Sequence, residues 1–461
     1  MLHERVSRTQ RQITGDPPFE ELAGWGERSA AFAVTAEMVL RVDVAHDRLL
    51  GHLHGPTTRI YGVHSGFGSN VDSARDPKSW HATQGELLQY LQVGVGDALP
   101  ATVVRRALRL QTLKVAKGYS GVHPETFRRL ATLSGAPELP RVPCFGSLGA
   151  SGDLVPMAHA VAPLFADDGP RGPRDVIGLV NTNAMMASLA LECLIDVRSL
   201  WRLACGVTAA TSLGLGATFE PFDPEVLALN ERQTGIERAG AAICRARGDL
   251  ERRLGLAPTL SCDTIQERYS VRCAPQILGN LDENLEFASA RIVAEAVSVA
   301  DNPLVLAGGM WHGGLFYAAG LATAADLMAD AAARLAEMVD RQVLMLVAVD
   351  TSHGLPENLA SPGCCHVKGL HQLLSALNQS LRANAVPSRL LSFSCEGNNQ
   401  DVVPCAMAAL LQVRESLAIA RRALGAAAFC AERAVRLRHA LPLPAYLNLN
   451  AWNDYDPQRF S

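Results

Sequence analysis

The run Gly146-Ser147-Leu148-Gly149-Ala150-Ser151-Gly152-Asp153-Leu154-Val155-Pro156-Met157-Ala158-His159 has the residue types in this chain that most directly suggest chemistry. Three small residues precede an acid, and apolar stretches flank them. Such a run can be a tight turn, an Asp153 N-cap and a helix. A nucleophilic serine does not fit, because the Gly-x-Ser-x-Gly pattern of a strand–turn–helix elbow is missing. Gly152 opens a third possibility. Without a Cβ, its backbone nitrogen can approach the Ala150 carbonyl carbon as no other residue can. Ring closure there, with dehydration of Ser151, would turn the backbone itself into an exocyclic methylene, a strong electrophile.

Further segments stand in order around this run. They are Tyr61-Gly62-Val63-His64-Ser65-Gly66-Phe67-Gly68, Gly118-Tyr119-Ser120-Gly121 and Leu179-Val180-Asn181. Downstream come Gln266-Glu267-Arg268-Tyr269-Ser270-Val271-Arg272-Cys273-Ala274-Pro275-Gln276, Asp301-Asn302-Pro303 and Asn399-Gln400-Asp401-Val402. Together with Gly149 through Pro156, this set resembles the aromatic amino acid ammonia-lyases and aminomutases. In site pattern it is most similar to phenylalanine ammonia-lyases.

The resemblance implies a prosthetic group, 4-methylideneimidazole-5-one (MIO), formed autocatalytically from Ala150-Ser151-Gly152, and no metal. It implies that this group makes the substrate amine a good leaving group while Tyr61 takes a β-proton that is hardly acidic. A free tyrosine titrates at about 10, so Tyr61 must be poised by its surroundings. Arg272 is implied as the clamp on the substrate carboxylate, a task suited to a planar fork. Asn181 is implied to hydrogen-bond that carboxylate or the prosthetic-group carbonyl. Tyr269 would line the group and help its protonation steps, with Gln266 supporting it. Asp153 would aid the cyclisation geometry, although a helix N-cap looks the same in sequence. Phe67 and Gly68 would shape the loop over the site, and Asn302 fits a turn equally well. Taken alone, Tyr61 is equally a structural tyrosine in a Gly-rich loop, and Arg272 a salt-bridge arginine.

Two positions bear on the substrate. By its spacing to Gly94, Tyr90-Leu91 stands where phenylalanine lyases carry Phe-Leu, and where histidine lyases and many tyrosine lyases carry a His. Gln400, in the stretch Glu396-x-x-Asn399-Gln400-Asp401-Val402, stands where histidine lyases carry Glu. A buried imidazole needs polar partners, whereas Leu91 and a neutral Gln400 suit an apolar ring. The alternative is that these side chains only pack. The expected activity is deamination of a phenylalanine-like L-amino acid to the trans-arylacrylate and ammonia, with tyrosine next and histidine-type activity last. A 2,3-aminomutase shares these residues and differs in loop closure and residence time. Asn181-Thr182-Asn183 replaces the family's Asn-Gly-Thr. Met310-Trp311-His312 replaces Asn-Phe-(His/Gln), so Trp311 is expected to narrow or reshape the ring pocket. The 60 residues after Asp401 are fewer than in typical relatives, which would trim a bundle cap. These departures suggest a specialised enzyme of secondary metabolism with a non-standard aromatic or β-substituted substrate. They are also the support for a catalytically dead helical scaffold, against which the joint retention of Tyr61, Ser151, Tyr269 and Arg272 argues.

The elements that must position these residues read as helices. Of 461 residues, 68 are Ala, 48% are apolar and 5% aromatic. Ala is the best helix former, and scarce aromatics argue against a β-sandwich. The apolar content excludes disorder and allows a large core. Turn signals crowd residues 1–190, whereas 185–217, 281–300, 315–348, 366–386 and 405–438 read as long helices. The expected fold class is mainly α: a long-helix bundle over 191–461 and a mixed, loop-rich N-terminal domain over 1–190 that carries the MIO tripeptide. Apolar bundle faces need partners, and the family's sites are built from several subunits, so a homotetramer is expected. A net charge of −4 gives no reason to expect nucleic acid. Asp326, Asp330, Arg334, Glu337, Asp340 and Arg341 interrupt the longest Ala-rich stretch, so no membrane span is expected. The opening MLHERVSRTQRQ has no apolar signal-peptide region. Eleven cysteines without a CxxC pair, Cys364-Cys365 being the only adjacent ones, read as reduced thiols of a cytoplasmic protein. His52-Leu53-His54 lacks the partners a zinc site needs.

Overall fold

The computed structural model describes residues 17–27, 30–53, 59–257, 264–362 and 366–460. The N-terminal segment, His54 and Cys364-Cys365, all considered above, lie outside the described residues. The chain forms two compact units. The first takes in residues up to Glu192, with Ala288–Ala325 and Pro387–Leu411; the second takes in Cys193–Phe287, Asp326–Val386 and the chain from Gln412 onward.

Gly and Pro punctuate the early chain, and its elements are correspondingly short. Helix α1 (Ala36–His52) starts at Thr35, whose hydroxyl accepts from the Met38 amide and satisfies one free N–H of the first turn. Helices α2 (Trp80–Leu91) and α3 (Ala101–Ala116) follow. Strand β1 (Val95–Ala98) pairs antiparallel with β2 (Pro143–Phe145), which delivers the chain to the Gly146–Asp153 turn. Helix α4 (Leu154–Val161) leaves that turn, and the single turn α5 (Ile177–Val180) precedes Asn181. Helix α3 is buried almost throughout, polar residues included. The cost of burying them is met by named partners: Gln111 donates to the Gly178 carbonyl at 2.9 Å, and Arg106 to the Ala23 carbonyl and the Glu192 carboxylate.

Longer helices then take over: α6 (Ala184–Leu215), α7 (Thr234–Leu254), α8 (Ala274–Val297), α9 (Ala319–Val347), α10 (Lys368–Asn384) and α11 (Ala406–Arg438). A short hairpin, β3 (Leu304–Leu306) with β4 (Gly309–Trp311), lies between α8 and α9 in the chain. The fold is mainly α, as the composition implies. Helix α8 begins at Ala274, with Pro275 in a first turn where its missing N–H costs nothing. Helix α7 was not among the expected spans. Its many arginines mask the pattern, yet Ile236, Ala239, Gly240, Ile243 and Leu250 form one buried face. Among the described residues, one stretch, Ile177–Leu215, is long and apolar enough to cross a membrane. Of its most apolar window 94% is buried within the protein, so it is a core helix.

In the second unit small residues and two hydroxyls bonded within their own helix help close the interior. Thr208 and Ser212 on α6 each donate to the carbonyl one turn back, at 2.8 and 2.9 Å. The chain after α11 folds back on it. Tyr455 packs edge-on against Phe429 at 5.5 Å and donates to the Glu432 carboxylate at 2.9 Å. Phe429 is fully buried. Truncation by Phe429→Ala should lower the unfolding free energy by about 3–5 kcal/mol, read as a lower urea midpoint with an unchanged slope.

Candidate active site

The centre of the first unit is the Gly146–Asp153 turn. Asp153 occupies the N-cap position of α4, but its side chain makes no cap there. Its carboxylate instead accepts from the Met186 amide at 2.9 Å, at the N-terminus of α6, where a negative charge is favoured. Burial pushes its pKa up to about 7, against the pull of the Met186 and Met185 amides and the Lys114 charge. Its second oxygen, Oδ1, is buried without a hydrogen-bond partner.

The turn is gripped by residues 181–183. Asn181 Nδ2 donates to the Ser151 carbonyl at 2.8 Å, and the Asp153 amide donates to the Thr182 carbonyl at 2.5 Å. Gly152, with φ of 76°, lies against that same Thr182 backbone, so a Cβ there would strike the Thr182 carbonyl oxygen. Only glycine combines this conformation with this approach.

Tyr61 comes from a loop ahead of α2. Its hydroxyl oxygen accepts from the Gly68 amide at 2.7 Å, its ring meets Phe67 edge-on at 5.8 Å, and its amide donates to His312 Nε2 at 3.3 Å. Burial raises the Tyr61 pKa; the Gly68 amide opposes this, the Glu396 charge adds to it, and Arg174 counters. Gly68 has φ of 56° and leaves no room for a Cβ, because the Glu396 carboxylate occupies that space.

The third wall is the loop 395–402. Glu396, Gly397 and Asn398 are all left-handed, with φ of 52°, 61° and 65°. This tight reversal lets Cys395 and Gln400 exchange backbone hydrogen bonds at 3.0 and 3.3 Å. Gln400 Nε2 donates to Ser151 Oγ at 2.8 Å and to Glu396 Oε2 at 2.9 Å, and Asn399 Nδ2 also donates to that carboxylate at 2.9 Å. The Ser151 hydroxyl is therefore held by Gln400, and its carbonyl by Asn181.

These walls enclose a cavity of about 850 Å³. Of the residues singled out from sequence, Tyr61, Phe67, Gly68, Tyr90, Leu91, Ala150, Ser151, Asn181, Asn302, Glu396, Asn399 and Gln400 line it. Gly152 and Asp153 sit buried behind it. Trp311 does not line the cavity: it lies on β4 and is 59% exposed. Tyr269, Arg272 and Gln266 belong to the second unit and do not line the cavity either. There Arg272 hydrogen-bonds Gln266 and lies over the Tyr269 ring at 4.8 Å, and Tyr269 is 68% exposed. The cavity also takes His312, Phe316 and Tyr317, which sequence reasoning passed over. Their signal was the Gly-rich stretch Gly313-Gly314 beside them, a place where chain can approach a ligand. Among the described residues, no cluster of His, Cys, Asp and Glu could hold a metal ion.

Known proteins fit this arrangement. The family model for aromatic amino acid lyase matches residues 19–169 and 170–452. The tyrosine 2,3-aminomutase of Myxococcus fulvus is 30% identical over 78% of this chain and 76% of its own length. The histidine ammonia-lyase of Aromatoleum aromaticum is 31% identical over 74% and 69%. In three dimensions, the phenylalanine aminomutase of Pantoea agglomerans superposes with a TM-score of 0.84 at 23% identity, over 96% of this chain and 92% of that one. A cavity walled by an Ala-Ser-Gly turn, a half-buried tyrosine and a Gln-Asn-Glu loop thus sits in a chain that belongs to the aromatic amino acid lyase family, whose enzymes include ammonia-lyases.

Proposed function

We propose that the protein deaminates an aromatic L-amino acid, phenylalanine-like in its ring, to the trans-arylacrylate and ammonia, using MIO made from Ala150-Ser151-Gly152. The observation that carries this is the packing of Ala150 and Ser151 in one cavity wall with Tyr61, Asn181 and Gln400 around them. The residues fit the group. Gly152 is free of a Cβ where a ring must close, and Asn181 Oδ1 and Asp153 Oδ1 are buried polar atoms still without partners. When formed, the group supplies an electrophile that makes the substrate's amine a leaving group.

The chain's own residues do the rest. Tyr61 is the base for the β-proton, its oxygen fixed by the Gly68 amide, a contact that favours the phenolate. Asn181 and Gln400 hold the backbone and hydroxyl of Ser151 in register with Tyr61. Leu87, Leu91, Ile177, Leu148 and Val71 give the ring an apolar bed that excludes water. Gln400 is neutral, and its carboxamide is already engaged by Ser151, Glu396 and Cys395. An imidazole would find few free partners there, which favours an apolar ring over histidine. Arg272 is the carboxylate clamp and Tyr269 lines the prosthetic group, both offered by the second unit to the site of a neighbouring copy in a cytoplasmic homotetramer. Exposed apolar residues such as Leu390, Leu391 and Phe393 support such an assembly. A second activity, 2,3-amino migration, draws support from the similarity to a tyrosine 2,3-aminomutase.

The intact mass of the purified protein should fall short of the sequence mass by two waters, and Ser151→Ala should restore the full mass while abolishing arylacrylate formation. L-Phenylalanine should exceed L-tyrosine in kcat/KM by about ten- to a hundredfold, the discrimination an apolar pocket achieves against a hydroxyl. An unmodified mass with no turnover of any aromatic amino acid would overturn the proposal. A β-amino acid that appears before free acrylate identifies the aminomutase instead.

The pH dependence has a definite sign. A base whose pKa is raised by burial and by Glu396 is scarce at neutral pH, so kcat/KM should climb with pH by about tenfold per unit on its acidic side. Glu396→Gln removes a charge that raises the Tyr61 pKa, so the rising limb should move to lower pH. Tyr61→Phe should cost about 10²–10⁴-fold in kcat, measured by steady-state kinetics.

A further inference from the structure

Lys114 is a buried ionisable group with no part in the chemistry above. It lies on α3, 4% exposed. Its Nζ donates to Asn183 Oδ1 at 2.9 Å and to the carbonyls of Glu295 and Ser298, each at 2.7 Å. An ammonium has three donors, and here all three find oxygens. The two carbonyls stand at the C-terminal end of α8, the negative end of the helix dipole. Asn183 completes the cluster by donating from Nδ2 to Glu295 Oε2 at 2.5 Å. Burial pulls the Lys114 pKa down to about 7, while the Glu295 charge works against that fall.

Asn183 is also the last residue of the turn that grips the tripeptide. Asn181 holds the Ser151 carbonyl, Thr182 receives the Asp153 amide, and Gly152 lies against the Thr182 backbone. Each residue from 151 to 153 is thus touched by residue 181 or 182, and residue 183 is pinned by Lys114 and Glu295. We infer that Lys114 is a positioning residue for the cyclisation of Ala150-Ser151-Gly152, acting through Asn183 to hold the 181–183 turn where Gly152 nitrogen reaches the Ala150 carbonyl carbon. This rests on the tripeptide being the precursor of the prosthetic group. The Asn181-Thr182-Asn183 sequence, unusual beside Asn-Gly-Thr, thereby gains a physical partner in a buried cation.

The step that Lys114 supports balances within the chain. Gly152 nitrogen bonds to the Ala150 carbonyl carbon. The carbonyl oxygen leaves as water with the Gly152 and Ser151 amide protons, and a C=N bond remains between Ala150 carbon and Ser151 nitrogen. Ser151 then gives up its Cα hydrogen and its hydroxyl as a second water, which leaves a Cα=Cβ double bond. No oxidant is consumed.

The test follows mass against time in freshly produced full-length protein, with circular dichroism to report folding. Lys114→Met should fold and lose its two waters about a hundredfold more slowly than the unsubstituted chain, the cost of a small misplacement of reacting groups. Leu130→Ala, a core truncation in the helix Pro124–Leu133, serves as the destabilised control and should mature at the unsubstituted rate. If Lys114→Met does not fold, Asn183→Leu keeps Lys114 in place, removes the bonds of residue 183 to Lys114 and to Glu295, and carries the same expectation. Maturation of either folded variant at the unsubstituted rate, or equal slowing in Leu130→Ala, overturns the role of Lys114. Failure of the unsubstituted chain to lose two waters overturns the prosthetic-group reading instead, and the two failures are distinguishable.

Discussion

The site depends on the contact between two turns, and its centre is the hydrogen bond from the Asp153 amide to the Thr182 carbonyl at 2.5 Å. A backbone bond of this kind fixes both chains at once, because neither partner has a rotamer with which to escape. It brings Gly152 against Thr182, leaves Asn181 within reach of Ser151, and delivers the Asp153 carboxylate to the start of α6. Helix α4 on one side and helix α6 on the other are thereby referred to the same point. A buried carboxylate in such a place costs free energy through desolvation, and the amides of α6 offset part of that cost.

A buried ion pair plays the corresponding part on the Tyr61 side. Arg174 donates to Asp301 at 2.8 Å and to the Ser120 carbonyl at 2.8 Å, with both charged side chains almost fully enclosed. Burial drives the Asp301 pKa up to about 6 even with Arg174 beside it. Such pairs add little net stability, yet the loss of one partner leaves an uncompensated charge, so the geometry around them is strongly specified. What it specifies here is the Asn302 turn. Asn302 accepts from the Gly313 amide at 2.8 Å, and the adjacent His312 receives the amide of Tyr61. A fully enclosed arginine thus sets the backbone of the proposed base through a chain of polar contacts.

Much of this was legible in the sequence, and the physical reasons differ by layer. The long helices announced themselves because apolar residues at helical spacing follow directly from one-sided burial; Leu281, Leu285, Ala288, Ile292 and Ala296 are all buried. Helix α7 was hidden because its exposed face is arginine-rich and its buried face mixes Ala and Gly with only a few large apolar residues. The residues that line the cavity from 61–68, 150–151 and 396–400 lie in short motifs whose residue types are rare together. His312, Phe316 and Lys114 were not legible as neighbours of those motifs. Their partners are far off in the chain, Lys114 being 181 positions from Glu295, and long-range contacts leave no local pattern. Trp311 shows the converse. Its neighbour in sequence faces the cavity, but alternation along β4 turns its own ring outward.

The meeting of Gly68 and Glu396 has a consequence for how the pocket can change over evolutionary time. The space a side chain at 68 would need is already filled by the carboxylate from 396, and the backbone at both positions is left-handed. The two loops therefore share one volume and cannot be altered independently. Enlargement at 68 is tolerated only after 396 has shrunk, whereas shrinkage at 396 meets no clash and frees space beside Tyr61, at the cost of the hydrogen bonds that Asn399 and Gln400 donate to its carboxylate. Substitutions at these positions should accumulate in that order and not the reverse. Access to new substrates through this corner of the pocket is thus a ratchet that begins at Glu396.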